Sequence, residues 1–101
     1  MRNKISSRNF QGILDSISAT YKRQGYGAGS GTRRKVIETL MVADVLENVS
    51  ETLGVRVTTG TYDEKLNQIR NLVEDEYQMT LLEKAISETL KSLRLQGKLK
   101  D

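Results

Sequence analysis

The chain has 101 residues and a formal charge of +3, with no Cys, His, Pro or Trp. Its length suits one domain. The missing residue types exclude a disulfide scaffold, a Cys/His zinc site, a Cys nucleophile and any Ser-His or Cys-His triad.

In chain order, Phe10, Ile13, Leu14, Ile17 and Tyr21 recur at steps of three and four, which predicts a helix over 7–24. Four glycines in the eight residues 25–32 then predict a linker, since no helix or strand tolerates that density. Thr32 is placed to cap a second helix over 33–53, whose apolar face is Val36, Ile37, Leu40, Met41, Val45, Leu46, Val49 and Leu53, with Gly54 as its stop. Val55–Thr59 alternates and is β-branched, so it reads as a short strand or an extended connector.

Thr61-Tyr62-Asp63-Glu64 has the capping-box pattern and opens a third helix over 62–77, with Tyr62, Leu66, Ile69, Val73 and Tyr77 on its core stripe. Thr80-Leu81-Leu82-Glu83 repeats the pattern and predicts a fourth helix over 80–95, with a bend near Gln78-Met79; one continuous helix over 62–95 is the alternative. The fold expected is mostly all-α, of about four helices.

The modest net charge hides a strong asymmetry. Residues 1–35 carry eight cations against Asp15 alone, residues 36–90 carry eleven acids against four cations, and residues 91–101 carry four cations against Asp101. A basic front and tail therefore flank an acidic body, which speaks to partners rather than to fold. No apolar run approaches the ~18–20 residues of a membrane span, and Met1-Arg2-Asn3-Lys4 is no signal-peptide core, so a soluble cytoplasmic protein without a membrane partner is expected. With 37% hydrophobic residues in so short a chain the core is thin, and self-association to a dimer or larger is expected.

The richest feature is the glycine segment with Arg33-Arg34-Lys35. Three cations in a first helical turn sit at the positive end of the helix dipole, at a cost of ~0.3–1 kcal/mol each. Something negative outside that turn must compensate them, and a phosphate is suited to bare amides and guanidinium forks. Lys22, Arg23 and Arg8 would help, and Tyr26 offers a face for base stacking. Gly31-Thr32 lacks the Lys of a nucleotide-triphosphate loop, and no strand precedes the glycines, so both nucleotide-loop motifs match weakly.

An alternating strand at 55–59, a capped helix, a turn and a second helix opened by Thr80 together resemble the ribbon–helix–helix family. That resemblance implies two copies pairing their strands in a DNA groove, Arg56 and Thr58 facing bases, Val55 and Val57 facing the core, and the Thr80 end gripping a phosphate. Glu74-Asp75-Glu76 reads as a solvated or docking face, because adjacent helical side chains diverge by about 100° and do not converge on one ion. Isolated acids such as Asp44, Glu47 and Glu51 form no catalytic constellation, so neither enzymatic activity nor a cofactor is expected. Two functions follow: an oligomeric nucleic-acid (DNA) binding protein of regulatory or organising role, or a structural adaptor whose basic arm meets the acidic helices of neighbouring copies.

Overall fold

A computed structural model describes residues 4–24, 32–58 and 60–100. The fold is all-α, with four helices among the described residues: α1 (Ser7–Gln24), α2 (Arg34–Leu53), α3 (Tyr62–Leu72) and α4 (Glu76–Leu95). Two short strands, β1 (Thr32–Arg33) and β2 (Leu99–Lys100), pair in parallel. No helix among the described residues is long and apolar enough to cross a membrane.

The periodic stripes become the core. Phe10, Leu14, Ile17 and Tyr21 of α1 pack with Ile37, Met41, Val45 and Val49 of α2 and with Leu82, Ile86, Leu90 and Leu93 of α4 in one apolar cluster, which Ile69 of α3 joins. Polar side chains tie the same helices. The buried hydroxyls of Ser18 and Thr89 share a hydrogen bond of 2.6 Å between α1 and α4. The Tyr21 hydroxyl donates to the Asp44 carboxylate between α1 and α2.

Both ends of the molecule can be read from nonlocal contacts. At one end Ile5 donates to the Leu72 carbonyl and lies beside Val73, next to the start of α4. At the other end Gln96, just past α4, donates to the Lys22 carbonyl of α1, and β1 leads into α2 beside β2. Tyr62 lies with Arg34 and Glu38, at the α2 start. Helices α1 and α4 thus run one way and α2 and α3 the other. The chain turns at Gly54, whose left-handed backbone (φ 68°) suits glycine, and Val57 and Thr58 then retrace α2 past Leu46 and Ala43.

Several expectations change. Residues 62–95 form two helices, but the break is at Val73–Asp75 and not at Gln78-Met79. Asp75 and Gln78 make the capping box of α4, so Thr80 lies a full turn inside the helix. The shift in phase turns Tyr77 outward, 62% exposed instead of on the core stripe. Arg33, not Thr32, occupies the cap position of α2, and no side chain caps that end. Of the two readings of 55–59, Val55–Thr58 takes the connector form within the chain, with the Gln68 side chain bracketing Thr58, accepting from its N–H and donating to its carbonyl, both at 3.1 Å. Val57 is 38% exposed rather than in the core. Residues 25–31 and Thr59 lie outside the described residues.

The Thr61 cap forms as its sequence implies. Its hydroxyl accepts from the Glu64 N–H, and the Glu64 carboxylate accepts from the Thr61 N–H at 2.9 Å. The Thr61 backbone bond, followed by its side-chain bond, holds the Glu64 carboxyl below its ordinary range. A depressed folded-state pKa gives stability that is complete above the unfolded value and lost as pH falls through the folded one. Melting temperature should therefore fall less for Glu64→Gln than for the native protein as pH drops from about 6 to about 3. Parallel thermal melts check this.

Candidate nucleic-acid interface

The ends of three helices build one cationic surface. Helix α1 finishes on Lys22 and Arg23, and α4 has Arg94 in its last turn. There the unpaired helix carbonyls attract cations, so the charges suit the dipole. Helix α2 begins beside them with the opposite polarity and with no acid in its first turn. The register Thr32↔Leu99 and Arg33↔Lys100 pins this start to the tail. Lys22, Arg23 and Arg33-Arg34-Lys35 thereby meet the basic tail at one end of a molecule 46 Å long, while Lys4, bonded to the Asn71 carbonyl, lies at the other.

Compensation of Arg33-Arg34-Lys35 is partial. The Arg34 Nε donates to Glu38 Oε1 at 2.9 Å, one turn further along α2. Arg33 and Lys35 are exposed, and neither has an ion-pair partner among the described residues. Two exposed cations thus flank bare helix-start amides, an arrangement that favours an anion.

Of the residues singled out from sequence, Lys22, Arg23, Arg33, Arg34 and Lys35 share this end. Arg8 does not: it starts α1 at the opposite end, beside Asn48 and Thr52. Tyr26 lies outside the described residues. Arg56 and Thr58 are exposed on the segment that retraces α2. The structure adds Lys91, Arg94 and Lys98. Their signal was the cationic run after residue 90, which chain order alone does not connect to Arg33. The acidic run 74–76 has structural partners, Asp75 capping α4 and Glu76 meeting Arg70 at 3.3 Å.

Beside the cationic end, α2, the start of α3 and α4 enclose a groove of about 480 Å³. Arg34, Glu38, Tyr62, Glu83, Ile86, Ser87, Leu90, Lys91 and Arg94 line it. Burial, with smaller contributions from Glu38, Asp63 and Glu83, raises the Tyr62 pKa, so its hydroxyl stays a donor at neutral pH. No protein-family model matches the chain, and neither a curated protein nor a solved structure matches it.

Proposed function

We propose that this protein is a non-enzymatic nucleic-acid-binding protein that regulates or organises DNA and grips the phosphate backbone with its cationic end. The observation that carries the reading is the pairing of the basic α2 start with the basic tail, with Arg33 and Lys35 exposed at the amide-rich start of α2 and without a carboxylate partner among the described residues. Lys22, Arg23 and Arg34 belong to the same surface, with Lys91, Arg94 and Lys98 as additions. Such contacts give affinity that is largely independent of sequence and falls steeply with salt. The reading has the protein cytoplasmic and self-associating, the second because a chain this short with 37% hydrophobic residues gains from burying more apolar surface.

The test is a mobility-shift titration at several salt concentrations. Retardation at ~50 mM salt that weakens by ~200 mM is expected, and the Arg33→Ala/Lys35→Ala double variant should lower the slope of log affinity against log salt by about 2. No retardation at ~50 mM would overturn the proposal. If the double variant instead loses subunits by light scattering while nucleic acid never binds, the cationic end joins copies of the chain.

A further inference from the structure

The groove beside the cationic end has a chemical direction. Glu83, Lys91 and Arg94 all line it from α4, and Ile86 and Leu90 line it between them. At the 1.5 Å rise of a helix, Glu83 and Lys91 are ~12 Å apart along the axis, and Arg94 is ~4–5 Å further. From the α2 side Arg34 adds a third cation. Glu38 engages Arg34 through Nε, which leaves the terminal guanidinium nitrogens directed at no other partner among the described residues. One end of the groove thus accepts hydrogen bonds, its middle combines the edges of Ile86 and Leu90 with polar Ser87, and its other end carries three cations beside the Glu38 carboxylate.

A nucleotide has the same order of parts: a base edge bearing amine donors, an apolar ring face and a phosphate. A simple anion matches only the cationic end and leaves Glu83 and the apolar side chains without a role. A duplex does not match them either, since its ring faces are stacked and its Watson–Crick edges paired. We propose, building on the nucleic-acid reading above, that this groove takes one nucleotide of a single strand. Its phosphate lies at Arg34, Lys91 and Arg94, its base lies over Ile86 and Leu90, and its exocyclic amine donates to Glu83.

The assignment carries a base preference. Cytosine presents an N4 amine that donates to a carboxylate, whereas thymine presents at the same ring position an O4 acceptor that a carboxylate repels. The experiment is fluorescence anisotropy at ~50 mM salt with labelled oligo(dC), oligo(dT) and a mixed-sequence duplex. Oligo(dC) should bind about tenfold more tightly than oligo(dT), and more tightly than the duplex. Glu83 is exposed, so Glu83→Gln keeps the fold; its amide both donates and accepts, and should bring the two oligonucleotides to similar affinity. Arg33→Ala/Lys35→Ala should weaken all three probes and leave their order unchanged.

Equal binding of oligo(dC) and oligo(dT) by the native protein, a preference that survives Glu83→Gln, or a duplex bound as tightly as the single strands would overturn the groove assignment while leaving the backbone reading intact. Failure of every probe to bind would overturn both.

Discussion

Gln78→Leu should cost about 2–4 kcal/mol of stability, although it replaces one buried side chain with another of similar size. Gln78 is fully buried at the start of α4. Its Nε2 donates to the Ile5 carbonyl at 3.0 Å, and its Oε1 accepts from the Glu74 and Asp75 N–H groups at 2.8 and 3.2 Å. One amide therefore joins the segment before α1 to the α3–α4 turn and completes the capping box. Leucine would strand all three backbone groups, each at ~1–3 kcal/mol where water cannot reach, with the two turn amides at the lower end because they are only partly buried. For a domain of this size the loss corresponds to roughly 10–20 °C in Tm. Urea denaturation would show a lower midpoint at unchanged slope. A loss below ~1 kcal/mol would mean that water reaches the stranded groups.

Phe10→Ala should be more damaging still, at about 3–5 kcal/mol. Phe10 is fully buried in α1 and is the only phenylalanine in the chain. Truncation removes the transfer free energy of the ring and leaves a cavity that helices already tied by the Ser18–Thr89 and Tyr21–Asp44 bonds cannot readily close. Against a total stability of ~5–15 kcal/mol, that loss would leave a marginal fold. Phe10→Leu keeps most of the volume and should cost ~1.5 kcal/mol or less, so the pair of variants calibrates packing at this site by chemical denaturation.

The elements that were readable in the chain are those decided within a turn or two. The spacing of Phe10, Leu14, Ile17 and Tyr21 marks α1, and the Thr61–Glu64 cap marks the start of α3, because both patterns act between near neighbours. The misplaced boundary between α3 and α4 shows how two local signals compete. Thr80…Glu83 and Asp75…Gln78 both fit a capping box, and the second forms. Nothing within either four-residue pattern states that Gln78 will also reach the Ile5 carbonyl, 73 positions away. The choice between strand and connector at Val55–Thr58 was open in the sequence for a related reason: β-branched residues favour extended backbone, but what that backbone meets within the chain depends on what lies alongside, and here it is Gln68.

The candidate site divides along the same line. Charge order alone located the cationic front and the crowding of Arg33-Arg34-Lys35 at a helix start. Glu38, a helical turn beyond Arg34, supplies a local part of the compensation. That Lys91, Arg94 and Lys98 belong with them follows only from the Thr32↔Leu99 pairing and the Gln96 bond to Lys22. Composition, periodicity and caps determined an all-α chain with its charge split between ends and middle, because side-chain burial and helix capping are short-range effects. Which cations share a surface, and that Glu83 faces the same groove as Arg34, was decided by the packing of α1 on α4 and of α2 on α3. The free energy that selects that arrangement comes from burying several stripes against one another, and no single stretch of chain contains it.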